Sequence, residues 1–390
     1  MTSPRIFNTL LALLLLLSIS QPASAAFTLY DKEAATFTVD GFFNTFYVNS
    51  SSDNEIGKTE RDQTRIKMGF MPNYIGFNFS KQVGDLKLGG RSSFWVSIND
   101  SGSSPTATAI DVRQFYGTVD AAWGQVLIGK DFGLFNRSNI FLDEILLGYG
   151  NVSNTLGLVD GGGVSFGNIG SGYIYPLPNA QITYRSPDVS GFKLAIGLLD
   201  PTHTAGPGSE ENMPRIESEL TFNKKIGDGS LTAWANGMYQ KSKVDNKNSV
   251  KTSGVGYGLQ GKIAGFGLTA SGFNASGAGW LVGPADATAL SIPVAGAGGE
   301  VDSNGYLVQG SYTFGPARLV ASYGQSKVDY GTAFALGNLK DKTMTGAVFY
   351  AVNSALNLVA EYNVNEIKLE SGSKHKEKTN TIALGATLSF

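Results

Sequence analysis

The chain closes on TNTIALGATLSF, residues 379–390. Alternate residues sort by polarity: Ile382, Leu384, Ala386, Leu388 and Phe390 share one side, and Thr381, Ala383, Gly385, Thr387 and Ser389 the other. A period of two marks a β-strand with one apolar face. The strand finishes on an aromatic residue with no polar tail to fray in water. That face therefore has to meet something other than solvent.

The opposite terminus suggests the compartment. Arg5 is the only charge in the first 25 residues, residues 10–19 are almost wholly apolar, and Ala23-Ser24-Ala25 offers small residues at cleavage-site spacing. This reads as a secretory signal peptide over residues 1–25, cleaved after Ala25; the alternative is an uncleaved helix in the inner membrane. Residues 26–390 then form the mature chain, whose formal charge moves from −2 to −3 on losing Arg5. With no basic excess, nothing points to nucleic acid. The absence of cysteine removes disulfides and thiolate metal sites, and no cofactor motif is present. Glycine is abundant, at 50 residues, and only 16% of the chain is charged, which favours strands and turns over helices.

Alternating segments recur along the whole chain. About sixteen are expected, at 36–49, 63–80, 85–99, 110–121, 124–131, 179–186, 190–200, 215–226, 229–243, 249–264, 265–276, 301–314, 316–329, 341–352, 354–370 and 377–390. Their connections alternate between short (81–84, 187–189, 227–228, Gly315, Asn353) and long (50–62, 100–109, 132–178, 201–214, 277–300, 330–340). Tight turns at one end and long loops at the other suit a closed transmembrane barrel better than a soluble all-β sandwich. Strand faces agree. Phe192, Leu194, Ile196 and Leu198 oppose Lys193; Leu319, Ala321 and Tyr323 oppose Arg318 and Ser322; Leu358, Ala360 and Tyr362 oppose Asn357, Glu361 and Asn363. In hydrocarbon every backbone group must pair internally, so a closed antiparallel barrel, apolar outside and wet inside, is the expected fold class. Phe390, with Phe192, Phe314 and Tyr184, is expected in an aromatic ring at the membrane interface.

Residues 132–178 break the pattern. This loop is far longer than a hairpin needs, and carries Phe135, Ile140, Phe141, Leu146 and Leu147 with Asp143, Glu144 and Asp160. Apolar residues suit a loop folded against an inner wall; a surface lid or adhesive loop is the alternative.

Four stretches carry a family resemblance. They are Arg113-Gln114-Phe115-Tyr116-Gly117 followed by 124–130; Ile182-Thr183-Tyr184-Arg185-Ser186-Pro187 followed by Ser190-Gly191-Phe192; the terminal strand ending in Phe390; and the long loop at its position. Together they resemble the general, trimeric diffusion porins of the Gram-negative outer membrane. The resemblance implies a third loop that narrows the lumen, with acidic residues facing a ladder of wall arginines. By position Arg113 and Arg185 match that wall, and Asp143 and Glu144 match the loop acids, with Asp160 as a further candidate. Strand parity adds Arg91, and Arg65 and Lys67 opposite Ile66 and Met68; Pro72 is expected to force a bulge nearby. Two features depart from the family pattern: residues 36–49 hold no inward lysine or arginine, and Asn73 stands near a usual arginine position. The resemblance further implies a homotrimer, contact with outer-membrane lipid and lipopolysaccharide, a terminal Phe390 read by the barrel assembly machinery, and passage of ions and small hydrophilic solutes.

Opposed rows of charge across a narrow wet gap would order water and admit polar solutes while rejecting apolar ones. The expected function is therefore passive diffusion. A channel selective for anions, sugars or small organic acids, or a non-pore display barrel, remains the alternative. The sign of ion preference is open, because the net charge leans to cations and the arginines to anions. Neutralising Asp143 and Glu144 is expected to shift reversal potential toward anions. Catalysis lacks support: His203 and His375 are the only histidines, both in long loops without an ordered partner in view.

Overall fold

The computed structural model describes residues 26–390 apart from 56–58, 101–109, 152, 154–164, 166, 205–207, 244–248, 279–294, 297–298, 330–337 and 371–374. Residues 1–25 and Asp160 thus lie outside the described residues. No helix among the described residues is long and apolar enough to cross a membrane.

The strands are β1 (Phe27–Lys32), β2 (Ala35–Asn54), β3 (Thr59–Lys67), β4 (Asn73–Val83), β5 (Leu86–Val96), β6 (Ile110–Ala121), β7 (Gly124–Phe132), β8 (Pro178–Arg185), β9 (Phe192–Leu199) and β10 (Arg215–Ile226). They continue with β11 (Gly229–Lys243), β12 (Ser249–Ile263), β13 (Phe266–Ser276), a two-residue pair β14 (Ala295–Gly296) and β15 (Gly299–Glu300), β16 (Asp302–Phe314), β17 (Ala317–Asp329), β18 (Asn338–Ala351), β19 (Leu356–Glu370) and β20 (His375–Ser389). Neighbours pair antiparallel around the ring, and β2 closes it on β20, from Phe42 against Ser389 to Asn54 against Glu377. Of the eighteen strands in this sheet, β3 and β4 are two halves of one wall strand, and β1 continues β20 along the same edge of β2, so the result is a closed sixteen-stranded barrel. Closure leaves no sheet edge to satisfy in lipid.

The outer face is apolar as the alternation requires. Phe192, Leu194, Ile196 and Leu198 are exposed on β9, and Ile382, Leu384 and Leu388 on β20. Phe390 exchanges backbone hydrogen bonds with Gly41 at 3.0 and 3.1 Å, and its ring packs between Phe27 (5.4 Å) and Phe43 (6.0 Å). The ring lies directly over Gly41, where a Cβ would come within 2.5 Å of Phe390 Cζ and displace the ring.

Two places differ from the sequence reading. The first strand is preceded by β1, which pairs with the start of β2 through a turn at Glu33 and Ala34, with φ 55° and 56°. That turn has the left-handed geometry of a tight hairpin without the usual Asn or Gly to announce it. The expected single strand over 63–80 is interrupted at 68–72. Pro72 has no N–H to give, and Asn44 satisfies the break: its Nδ2 donates to Met71 O at 2.8 Å, and its backbone N donates to Asn73 Oδ1 at 2.6 Å. Met68, expected on the lipid face beside Ile66, is instead fully buried inside, because the break reverses the phase after Lys67.

The long loop folds into the lumen. It carries the short helix α1 (Arg137–Phe141) and packs Phe135, Ile140, Ile169, Tyr173 and Ile174 against Phe273 and Leu307. The inward faces of β16–β20 are correspondingly apolar where the loop lands: Val320, Phe349, Val359 and Ile367 are buried with Ile145 and Tyr149. The polar inner wall expected from the sequence is thus interrupted by apolar residues where the loop lands.

Candidate functional site

The loop's grip on the barrel rests on wall carboxylates and amides that accept loop backbone N–H groups. Glu217 on β10 accepts from Leu134 (2.6 Å) and Phe135 (2.9 Å), and Glu219 from Ser138 (3.0 Å). Asn236 on β11 accepts from Asn136 at 2.9 Å, and Gln309 on β16 from Glu144 at 2.9 Å. Glu361 on β19 accepts from Tyr149 (2.9 Å) and Gly150 (2.8 Å), and Glu377 on β20 takes the Ser153 hydroxyl at 2.7 Å. Irregular backbone buried in a barrel has to find such partners.

The loop acids turn toward this same wall. Asp143 is buried and accepts from Tyr173 Oη (2.6 Å), Gln309 Nε2 (2.7 Å), Asn168 Nδ2 (2.9 Å) and Ile145 N (3.0 Å). Burial raises its pKa, opposed by those donors, and burial likewise pushes the Tyr173 hydroxyl well above its ordinary value. Glu144, also buried, pairs with Arg318 on β17 at 2.8 Å and with Lys262 on β12 at 3.7 Å. Neither carboxylate bonds to Arg91, Arg113 or Arg185; both are drawn instead into the loop's own anchorage on the wall.

The expected cations occupy the uncovered wall. Arg91 on β5 holds Asp40 through two bonds of 2.7 and 3.0 Å, and Nε donates to Gln114 Oε1 at 2.8 Å. Gln114 passes the chain on to Asp131 at 2.9 Å, where Arg185 (3.4 Å) and Arg137 of the loop (3.3 Å) converge. Arg113 meets Asp111 at 2.8 Å and Tyr175 Oη at 3.0 Å, and lies over the Trp95 ring at 5.1 Å. Lys67 and Arg65 stand inward on β3, Lys67 buried and Arg65 half-buried.

Arg113 reaches the lumen through a bulge. The β5–β6 register runs from Ser93 opposite Gln114 to Phe94 opposite Val112, so Arg113 is the extra residue. Plain alternation would have put it on the lipid side with Phe115, which is exposed there. A bulge re-aims one side chain without breaking the sheet. Sequence reasoning did not single out Arg137, Arg318 or the anchoring Glu217 and Glu219. Arg318 and Glu361 did lie on inward faces by parity, but their partners are on the loop, whose fold leaves no periodic signal.

The closed barrel has known counterparts. The sequence profile of the Gram-negative porins matches residues 10–368. Among solved structures, the outer membrane channel DcaP of Acinetobacter baumannii is 18% identical with a TM-score of 0.66, over 93% of this chain and 99% of that one. The anion-selective porin from Comamonas acidovorans is 13% identical with a TM-score of 0.63, over 91% and 100%. In-vitro folded OmpT of Vibrio cholerae, an outer membrane protein in its trimer form, is 17% identical with a TM-score of 0.54, over 92% and 100%. No curated protein matches. With the profile spanning nearly its whole length and the barrel aligning end to end with these channels, the chain belongs to the Gram-negative porin family, as an outer-membrane channel and not an enzyme.

Proposed function

We propose that solutes diffuse between the internal loop and strands β3–β8, and that this passage favours small anions. The observation carrying the proposal is the asymmetry of charge. Arg91, Arg113 and Arg185, with Arg137 from the loop, share Asp40, Asp111 and Asp131, while Asp143 and Glu144 are withdrawn behind the loop. Those four cations share three carboxylates along that gap. Selectivity is set where charge lines the narrowest water, and a low-dielectric wall strengthens the field there. The transverse field inferred from the resemblance thus becomes a one-sided basic wall. Residues 1–25 are removed on export in this reading, and Phe390 serves as the assembly signal.

Three copies assemble through the face of β1–β5, where Phe27, Phe37, Phe43, Tyr47, Ile75 and Phe79 are exposed together. The trimer form of the structurally similar OmpT supports that stoichiometry. The test is current through planar bilayers under a potassium chloride gradient. Ohmic insertions that close in three equal steps, with a reversal potential of anion sign, are expected. A silent barrel would identify a display protein, and a cation-signed potential would refute the basic-wall mechanism.

A further inference from the structure

The loop's underside leaves apolar surface where a water-filled lumen gives it no partner. Phe141 is 44% and Leu147 37% exposed, unlike Phe135 and Ile140, which are buried. Both line a cavity of about 650 Å³, together with Leu142 and Leu146. The cavity opens toward the tight turns at Gly227-Asp228 and Ala264-Gly265, which in a barrel of this kind face the periplasm. The rest of its lining holds Lys225, Lys262 and Arg318, the hydroxyl-bearing Ser230, Ser311 and Thr313, and the carboxylates of Asp143, Glu144 and Asp228. Glycines at 229 and 267 keep it open; a Cβ at Gly267 would collide with Ser311 Oγ.

The cavity's three cations and three carboxylates differ in how they are engaged. Glu144 is shared by Arg318 and Lys262, and Asp143 is turned away into its own hydrogen bonds. Asp228 sits on the exposed β10–β11 turn, leaving Lys225 and the half-exposed Lys262 ammonium facing the cavity. One side apolar and the other cationic and hydrogen-donating is complementary to a molecule with the same two halves. A site of this volume takes a small organic molecule, and a few placed polar groups orient it.

We propose that this periplasmic-side cavity binds amphipathic monocarboxylates, with the hydrocarbon part against Phe141, Leu142 and Leu147 and the carboxylate toward Lys225 and Lys262. The inference rests on the channel reading, since only a barrel that spans the outer membrane puts the turns beside this site on the periplasmic side. A bound carboxylate would dwell there after crossing and delay the next ion.

The test uses the full mature chain, with benzoate, acetate and benzylamine as probes. Heat of binding is measured on the detergent-solubilised protein, and current block is measured with each probe added on the periplasmic side of a bilayer. Benzoate is expected to bind about tenfold more tightly than acetate, from burial of its ring, and more tightly than benzylamine. The double variant Lys225→Gln/Lys262→Gln should weaken benzoate about tenfold, and Leu147→Ser about threefold. Equal binding of benzoate and acetate, stronger binding of benzylamine, or affinity unchanged in the lysine double variant would each overturn the site. A protein that binds benzoate with these dependences but carries no current would refute the channel reading while leaving the site intact. A conducting protein indifferent to benzoate would do the reverse.

Discussion

The two halves of the barrel wall use charge in opposite ways. On β10–β20 the inward carboxylates Glu217, Glu219 and Glu361 end on backbone N–H groups of the loop, and apolar residues between them are dry. On β3–β8 the inward cations Arg91 and Arg185 are linked through Gln114 and Asp131, with Arg91 also held by Asp40, and both are partly open to the lumen. The same alternating strand pattern builds both halves. What separates them is the loop, which covers one half and turns its polar residues into fasteners, while the other half keeps its cations partly exposed to the lumen. Charge on an inner strand face thus acquires its role from what lies over it.

Breaking the fasteners should have the largest effect. Glu361→Ala removes the acceptor for two buried N–H groups and is expected to cost about 3 kcal/mol of loop anchorage. Single-channel conductance should rise as the loop loosens, and the loop should become sensitive to protease in folded barrels. Asp143→Asn should cost less, about 2 kcal/mol, because an amide faces donors with only one acceptor atom. This substitution also reports on pH. Burial raises the Asp143 pKa above its ordinary 3.8, so its contribution to folding is fully present below that value and is lost as pH rises through the higher, folded-state value. Hydrogen exchange of the loop amides should therefore quicken with rising pH beyond the intrinsic rate in wild type, and that excess slope should vanish in Asp143→Asn. The smallest effect is expected on the open half. Trp95→Leu removes a cation–π contact worth about 0.5 kcal/mol to Arg113, and should change the anion-to-cation permeability ratio by about twofold or less.

The wall strands were legible in the sequence, and the division between the two halves was not. Period-two alternation located the wall strands, and the outward positions of Phe192, Leu194, Ile196 and Leu198 followed directly. Strand β1 escaped because its turn residues, Glu33 and Ala34, adopt positive φ without turn-forming side chains. The inward placement of Arg113 escaped parity because a bulge shifts the phase by one residue, and a bulge leaves no mark in the polarity pattern. Arg185 and Arg91 were readable because their strands run undisturbed around them. The burial of Asp143 and Glu144 depends on donors from Tyr173, Gln309 and Arg318, up to 174 residues away in the chain, and such long-range pairing has no local signature.

The contrast between the two halves is tested most directly by reversal potential in a salt gradient, comparing Arg113→Gln/Arg185→Gln with Asp143→Asn. If the open wall sets selectivity, the arginine pair moves the potential toward cations and Asp143→Asn leaves it where wild type has it. A shift toward anions in Asp143→Asn, with the arginine variant unchanged, would place the controlling charge on the loop and contradict the account.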